Sequence, residues 1–263
     1  MTIIDAHTHI YPSKIAQRAV DSVRDFYCLE QMYSVEGTPE ALLESAKAAG
    51  VDRCVVCSVA VKPATVESIN NFILEQVQNH PEFIGLMAMH QGYEDPETEI
   101  KRMKAAGFKG IKIHPDTQRV NADDPRLMDV YAIAEEQGLP ILMHTGDYRY
   151  DYSHPRRIRE ILRAFPNLKM DAAHFGGWSI YDIGADYLRD ERCWVDTSSS
   201  FQMTGLRHGA ELINMFGTDR VLFGSDFPMW GPGDEVDALN KLGLDDAAYE
   251  RVSHKNAEEL YGL

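Results

Sequence analysis

Histidine and aspartate residues follow several apolar runs of the chain, in a pattern that is typical of a metal site. The first run, residues 2–7, ends in His7, and His9 follows two positions later. Residues i and i+2 of a strand face the same way, so the two imidazoles can bind one ion. His144 and Asp226 come directly after two later runs, where a buried carboxylate needs a partner because an unpaired charge is very costly. We predict one divalent ion, Zn²⁺ in first place with Mn²⁺ or Fe²⁺ as alternatives, bound by His7, His9, His144 and Asp226.

His174 and Lys112 also lie at the ends of apolar runs, and their residue types leave several roles open. His174 can be a metal ligand, a general acid or base, or an electrophile that polarises a substrate oxygen. We predict that His174 and Asp226 are the catalytic residues, with Asp226 accepting a proton from a metal-activated water. Lys112 and His114 are predicted to bind substrate, with a structural role for His114 as the alternative.

The segment 147–152, with the sequence DYRYDY, follows the fifth apolar run and is predicted to lie over the site. Arg149 can pair with a carboxylate or phosphate through two parallel hydrogen bonds, and the tyrosines suit a planar or ring-bearing molecule. The segment predicts a small anionic substrate; a solvated surface loop is the alternative. Ser199 and Gln202 are weaker candidates for contact with it. The predicted substrate-binding residues are Arg149, Lys112, Tyr148, His114, Tyr11 and Trp230.

Eight short apolar runs alternate with stretches that carry helix signals. The runs lack strict polar alternation, as expected of strands that are buried on both faces. They cover residues 2–7, 53–59, 83–88, 109–113, 139–144, 168–173, 193–197 and 220–224. Capping residues, prolines at first helical positions and terminal glycines predict the helices between them. These helices cover residues 38–49, 64–79, 96–106, 125–137, 155–165, 204–216 and 246–260.

Strands that alternate with helices predict parallel βα units, and eight such units usually close into a barrel. The predicted fold is therefore an α/β fold of the (β/α)8 TIM-barrel type, as a single domain over residues 1–263. About 250 residues are typical of such a barrel, and the polar residues at the strand ends would then meet at one mouth. A doubly wound open sheet is the alternative. It would normally have a Gly-rich phosphate loop after the first strand, where this chain has His7 and His9.

The composition argues against several classes of protein. The net charge of −15 is unlike that of nucleic-acid-binding domains, which need clustered Lys and Arg. No apolar run approaches the roughly 20 residues of a membrane span, and the first residues do not resemble a signal peptide. We therefore expect a cytoplasmic protein whose partner is a small molecule, and a homodimer is compatible with this expectation. Cys54 and Cys57 would point to opposite faces of one strand, which predicts two small core residues instead of a metal or redox pair.

Taken in order, these motifs resemble the amidohydrolase superfamily. The resemblance is closest to the amidohydrolase-related branch, which includes aminocarboxymuconate semialdehyde decarboxylase, γ-resorcylate decarboxylase and related lactonases and hydratases. It covers nearly the whole chain, and its anchors are residues 4–9, 110–115, 154–166, 168–177, 221–228 and 255–263.

The resemblance implies a TIM barrel of the metallo-dependent hydrolase type. One divalent ion would be held by His7, His9, His144 and Asp226, with His174 as the catalytic histidine beside it. Some related barrels instead have a carbamylated lysine that bridges two ions. In that alternative Lys112 would be the bridge, and His144 and His174 would bind the second ion. The long insertions and substrate-binding arginines of the decarboxylases cannot be mapped onto this chain, so the resemblance does not indicate a substrate.

The leading functional hypothesis is hydrolysis of a small, anionic amide, lactone or ester by a metal-activated water. The alternative is a lyase that decarboxylates or hydrates an unsaturated or aromatic carboxylic acid at the same site. The short chain predicts an open mouth, which suits a water-consuming reaction better than one that needs a dry pocket. A barrel that only binds is disfavoured because every expected ligand type is present. A serine hydrolase is disfavoured because the chain has no G-x-S-x-G motif.

Overall fold

The backbone forms eight short parallel strands that follow one another in chain order. The computed structural model describes residues 2–29 and 36–263. β1 to β6 pair in sequence order as one sheet, and β7 pairs with β8. All eight predicted strands are present, β3 at its predicted bounds and the others shorter or shifted. The strands are β1 Ile4–His9, β2 Arg53–Cys57, β3 Phe83–Ala88, β4 Gly110–Ile113, β5 Ile141–Met143, β6 Met170–Ala172, β7 Val195–Asp196 and β8 Val221–Leu222.

Backbone hydrogen bonds join the two sheets into a closed barrel. Between β6 and β7, Trp194 N–H donates to Met170 O over 2.8 Å, and Ala172 N–H donates to Trp194 O over 2.9 Å. Between β1 and β8, Ala6 N–H donates to Phe223 O over 2.8 Å. This closure confirms the (β/α)8 TIM-barrel prediction and brings the carboxyl ends of the strands to one mouth.

Helices cover the outside of the barrel. They are α1 Ser13–Tyr27, α2 Pro39–Ala49, α3 Val66–Asn79, α4 Pro96–Ala105, α5 Pro115–Gln118, α6 Pro125–Gln137, α7 Pro155–Ala164, α8 Tyr181–Leu188, α9 Phe201–Phe216, α10 Pro232–Lys241, α11 Asp246–Glu250 and α12 Asn256–Tyr261. α2 has the predicted start, because the Thr38 side chain accepts the N–H of Ala41 and Pro39 takes the first position.

Some helices differ from the prediction. The predicted helix 246–260 is interrupted by a π-helical turn at Arg251–Lys255, which joins α11 to α12. The helices α1, α5, α8 and α10 were not predicted. Among the described residues, no helix is both long and apolar enough to cross a membrane.

Apolar side chains form two layers, one inside the barrel and one between the strands and the helices. Ile111 and Ile113 lie in the outer layer. Residues such as Leu142 lie in the inner layer, which Tyr261 of α12 also joins. The Lys109 ammonium, at the start of β4, donates to Gly262 O over 3.2 Å. The C-terminal helix therefore closes the end of the barrel opposite the mouth.

The two neighbouring cysteines belong to different layers. Cys54 packs in the outer layer and Cys57 in the inner one, which confirms that they point to opposite faces. Cys57 Sγ also lies 3.6 Å from His9 Nδ1. It is therefore a core residue that contacts the mouth of the barrel.

Candidate metal centre

A bulge in β1 aims the two N-terminal histidines into the barrel. Asp5 pairs with Cys54 of β2, but Thr8 pairs with Val56, so β1 has one extra residue between the two pairs. Such a bulge changes the face to which the following residues point. Ala6 before the bulge lies in the inner layer, and after it His7 and His9 turn their Nε2 atoms towards each other, 3.2 Å apart.

Three of the four predicted metal ligands form a triangle of donor atoms. His7 Nε2 and His9 Nε2 are 3.2 Å apart, and Asp226 Oδ1 lies 3.6 Å from His7 Nε2 and 3.2 Å from His9 Nε2. Ligands at about 2.1 Å from an ion, at the corners of a tetrahedron, are separated by about 3.4 Å. The triangle therefore has the dimensions of one face of a tetrahedral metal site, and its donor types fit a divalent ion such as zinc, manganese or iron.

Asp196 fixes the orientation of His7. Its Oδ2 accepts the His7 Nδ1–H over 2.7 Å. Its Oδ1 accepts from His174 N–H at 2.8 Å, from Ser198 N–H at 3.1 Å and from the Ser198 hydroxyl at 2.5 Å. Both oxygens are thus occupied as acceptors. With Nδ1 carrying the proton, the lone pair of His7 Nε2 faces the triangle, as is usual for a ligand held by a carboxylate.

Two of the buried histidines, His7 and His174, are neutral at neutral pH. Burial lowers the pKa of His7 to about 4 and that of His174 to about 3. Burial opposes ionisation of Asp196, but the neighbouring His7 and the donors from Ser198 hold the pKa of this carboxyl below its ordinary value. These are the protonation states that metal binding requires of His7 and of the carboxylate behind it. His9 differs, because Cys57 and Asp226 raise its pKa to about 9 despite its burial, so a metal ion would have to displace a proton from it.

His144 lies next to the triangle and faces His174. Its Nε2 is 3.0 Å from Gly146 O and 3.3 Å from Asp116 Oδ2, and its Nδ1 is 3.1 Å from His174 Nε2. Nδ1 is therefore the atom that can bind an ion. His144 as fourth ligand stays a prediction, and so does the alternative in which His144 and His174 bind a second ion.

His114, Asp116 and His144 also bring donor atoms close together, but their geometry does not suit a metal. The rings of His114 and His144 stack with centroids 3.9 Å apart and planes within 8°. The nitrogen lone pairs of two stacked rings lie in separate parallel planes, so they do not converge on one ion. His114 therefore lines the mouth of the barrel, a position that is compatible with its predicted contact with substrate.

Lys112 reaches the centre from β4. It is 1% exposed, and its Nζ lies 2.8 Å from His7 Nε2. This position agrees with the prediction that Lys112 belongs to the site. Its contact with substrate stays a prediction.

Three residues of the site have unusual backbone conformations. His174, Ser199 and Asp226 have φ of 60°, 49° and 62°, in the left-handed region that residues other than glycine rarely adopt. They follow β6, β7 and β8. Strained backbone of this kind concentrates at functional sites, where the surrounding structure maintains it.

An aromatic residue from outside the barrel covers the mouth. The Tyr27 hydroxyl, at the end of α1, lies 2.8 Å from His114 Nε2 and 3.4 Å from His144 Nε2. Tyr27 also packs on Trp178, with ring centroids 4.7 Å apart. His144 and His174 are each 2% exposed. The expectation of an open mouth is therefore wrong, because α1 supplies the cover that the short chain was expected to lack.

Arg149 holds this cover in place. Its guanidinium donates to both carboxylate oxygens of Asp147, at 3.0 and 2.7 Å, and to Phe26 O at 2.5 Å. Its Cζ lies 5.4 Å from the Tyr27 ring centroid and 5.9 Å from that of Trp178. The guanidinium thus already has a carboxylate partner within the chain, and its predicted contact with substrate stays a prediction.

The remaining predicted substrate residues lie at the rim. Tyr148 is 71% exposed and points to solvent. Tyr11 is half-buried, and its ring packs closely on Gly37. Trp230 Nε1–H donates to the Ser199 hydroxyl over 2.8 Å, and this hydroxyl donates to Asp226 Oδ2 over 2.5 Å.

Gln202 is turned away from these residues. Its amide donates to Glu235 of α10. The weak candidate Ser199 is thus in contact with a predicted metal ligand, whereas Gln202 has its partner elsewhere.

Sequence reasoning missed Asp196 and Tyr27. Asp196 did carry a signal, because it is a charged residue inside the predicted apolar strand 193–197. The helix that carries Tyr27 also had a signal, because Ala16, Val20 and Val23 recur at helical spacing. Nothing in the sequence, however, indicated that the last turn of this helix lies over the mouth.

The fold is shared with solved structures across almost the full length of each. A 2,6-dihydroxybenzoate decarboxylase in complex with 2,6-dihydroxybenzoate aligns with a TM-score of 0.76 and 16% identity, over 100% of both chains. A 5-carboxyvanillate decarboxylase from Novosphingobium aromaticivorans was solved in complex with manganese and 4-hydroxy-3-methoxy-5-nitrobenzoic acid. It aligns with a TM-score of 0.77 and 18% identity, over 100% of this chain and 96% of the other. An uncharacterized TIM-barrel protein from Bordetella bronchiseptica aligns with a TM-score of 0.79 and 20% identity, over 100% of this chain and 99% of the other.

At the level of sequence, the family model described as amidohydrolase matches residues 4–263. The match includes every strand of the barrel and all predicted metal ligands. The chain therefore belongs to the amidohydrolase family.

Proposed function

We propose that this chain is a metal-dependent lyase that decarboxylates a small aromatic or unsaturated carboxylic acid. The observation that carries the proposal is the covered mouth, in which Tyr27 closes a site whose histidines are almost fully buried. Hydrolysis was the first hypothesis because an open mouth was expected. A covered site favours the alternative instead, since the cover would keep bulk water away from a carbanion-like intermediate.

The comparisons support the same choice. Two of the structures with this fold are decarboxylases of hydroxylated aromatic acids, and one of these holds manganese. Because their identities of 16% and 18% establish only the fold, the substrate class is a proposal that rests on the site. The tyrosine and tryptophan rings around the mouth suit a planar ring of this kind.

The metal would be held by His7, His9 and Asp226, with His144 as the predicted fourth ligand. When bound, it supplies a positive charge that polarises and orients an anionic oxygen of the substrate. We propose one ion per chain. Zn²⁺ remains the predicted metal and Mn²⁺ the alternative that the manganese-bound relative supports.

The surrounding side chains provide the remaining functions. Lys112 is a buried cation beside the triangle and can attract a carboxylate into the site. Burial holds the pKa of Tyr27 well above its ordinary value, so its hydroxyl stays protonated and can donate to a substrate oxygen. His174 and Asp226 face the same space, and we assign to them the relay of a solvent-derived proton to the carbon that the carboxylate leaves. The proton must come from solvent because the neighbouring histidines hold the pKa of Asp226 well below its ordinary value.

Hydrolysis remains the second candidate because of the chain of hydrogen bonds at Asp226. The Ser199 hydroxyl donates to Oδ2 over 2.5 Å, which leaves Oδ1 as an acceptor at the triangle. A carboxylate in this position can also take a proton from water. The residues of the centre are therefore compatible with both reactions, and the reaction has to be measured.

The test uses the metal-loaded protein and a panel of hydroxybenzoic acids, muconate-like acids and carboxylated lactones in ¹⁸O-labelled water. Decarboxylation predicts release of carbon dioxide and, in deuterated water, one deuterium at the carbon that lost the carboxylate. Label in a new product carboxylate, without carbon dioxide, would refute decarboxylation and establish hydrolysis. The His174→Ala variant serves as the matched control, since it should lose turnover on the same substrate.

A further inference from the structure

The barrel contains a buried carboxylate that has no hydrogen-bonding partner among the described residues. Asp171, in the middle of β6, is 0% exposed, and both of its carboxylate oxygens lack a donor. An unpaired buried carboxylate is costly, and burial accordingly raises its pKa well above the ordinary value. The residue is outside the triangle and is not accounted for by the proposed reaction.

Lys112 shares the inner face of the barrel with this carboxylate. Lys112 pairs with Leu142 of β5, and Leu142 pairs with Asp171. Side chains at paired positions of a parallel sheet lie on the same face, and Leu142 belongs to the inner layer. Neighbouring strands are about 4.8 Å apart, so the flexible four-carbon stem of Lys112 can span the two strand spacings to Asp171.

Lys112 cannot keep its present contact when a metal binds. It lies 2.8 Å from His7 Nε2, while His7 Nδ1–H is committed to Asp196. His7 Nε2 has only one lone pair, which can accept from the ammonium or bind an ion, but not both. A divalent ion would in addition repel the ammonium. Lys112 therefore needs another acceptor in the metal-loaded protein as long as no substrate carboxylate is bound.

Three other carboxylates around the centre are not available as acceptors. Both oxygens of Asp196 are occupied. Asp226 offers Oδ1 to the triangle and accepts from Ser199 at Oδ2. Asp5 pairs with Cys54, which lies in the outer layer, and so faces away from the interior. Asp171, by contrast, points into the barrel, and neither of its carboxylate oxygens has a hydrogen-bond partner among the described residues.

We propose that metal binding transfers Lys112 from His7 to Asp171, and that Asp171 acts through Lys112 as a positioning residue for the metal centre. The inference rests on the proposed metal site but not on the reaction class. It gives the unpaired carboxylate a partner, and it explains how a buried cation can lie beside a site for a divalent ion.

The test is a double-mutant cycle on metal affinity, measured without substrate by competition with a chromogenic chelator. Asp171→Asn should weaken Zn²⁺ and Mn²⁺ binding about 10- to 100-fold, the usual effect of removing an outer partner of a metal site. In the Lys112→Met background the same substitution should change affinity by less than about threefold, because no ammonium remains to be neutralised. An equal loss in both backgrounds, or no loss in either, would overturn the inference while the metal site stands.

Further measurements keep the inference testable if Asp171→Asn fails to fold. Lys112→Met alone should bind metal at least as tightly as the unmodified chain, since His7 Nε2 is then free. Weaker binding by Lys112→Met, or a carbamate on Lys112 in the intact mass of the loaded protein, would make the lysine a ligand and refute the transfer. A chain that binds no divalent ion at all would instead overturn the proposed function together with this inference.

Discussion

Replacing Asp196 with asparagine should reverse the tautomer of His7. Oδ1 of Asp196 accepts three hydrogen bonds, from His174 N–H, Ser198 N–H and the Ser198 hydroxyl, whereas Oδ2 accepts only from His7 Nδ1–H. An asparagine has one acceptor and one donor group. Its oxygen should take the side with three donors, which leaves its NH₂ facing His7. His7 must then accept at Nδ1 and carry its proton on Nε2, where the metal would bind.

The expected effect is large because the ligand lone pair is lost. Outer partners of metal ligands usually contribute 10- to 100-fold to metal affinity, which corresponds to about 1.4–2.7 kcal/mol. We expect Asp196→Asn to lie at or above the upper end of this range, because it changes the tautomer as well as the orientation of the ring. A carboxylate-to-amide change behind a catalytic histidine is known to act through the tautomer in this way.

The assay is a chelator-competition titration of the metal-free variant with Zn²⁺ and Mn²⁺, together with urea unfolding to establish that it is folded. Glu99→Gln is the matched control. Glu99 is also a buried carboxylate, which accepts from Arg102 at 2.7 Å and from Asn70 at 2.7 Å, but it lies on α4 and its partners are not residues of the metal centre. This control should lose stability and keep its metal. A folded Asp196→Asn variant that binds metal within about threefold of the unmodified chain would refute the tautomer argument.

Three other substitutions test different parts of the molecule. His174→Ala should retain the metal and lose turnover by about 10²-fold or more; loss of the ion would make His174 a ligand. Tyr27→Phe should reduce kcat/KM by about 3- to 10-fold, the worth of one hydrogen bond, and unchanged kinetics would remove Tyr27 from substrate contact. Burial raises the pKa of Glu235 from 4.5 to about 8, so the folded state binds more protons between these values and stability falls as the pH rises through them. Glu235→Gln should remove up to about 1.4 kcal/mol per pH unit of that slope in urea unfolding between pH 5 and pH 8; an unchanged slope would show that Glu235 is not the group responsible.

The metal centre could be predicted from the sequence to the extent that it depends on strand ends. His7, His9 and Asp226 converge because each lies at the carboxyl end of a strand that the apolar runs had indicated, and the closure of the barrel brings those ends together. The approach of His144 to His174 could not be predicted in this way. It depends on how two loops lie over the mouth, and no periodic pattern encodes that geometry.

The cover over the mouth was missed for a related reason. The apolar spacing along residues 13–27 indicates a helix. It does not indicate that the last turn of α1 reaches the mouth, where Tyr27 meets the aromatic residues around Arg149. Arg149 itself was interpreted as a residue that awaits a substrate carboxylate. Its actual partner, Asp147, is only two positions away in the sequence, so a local ion pair should be considered before a ligand is assigned to such an arginine.

Asp196 connects the chemistry of the site to its backbone strain. Left-handed conformations of residues other than glycine cost about 1–3 kcal/mol each, and His174 and Ser199 both adopt one. The Asp196 carboxylate accepts the N–H groups of His174 and Ser198, so it stabilises the strained ends of β6 and β7 as well as the tautomer of His7. One charged side chain thus secures a metal ligand on β1 and a catalytic candidate that follows β6. Because an uncharged substitute cannot satisfy both sets of donors, the geometry of this centre depends on a buried charge that the core alone would not favour.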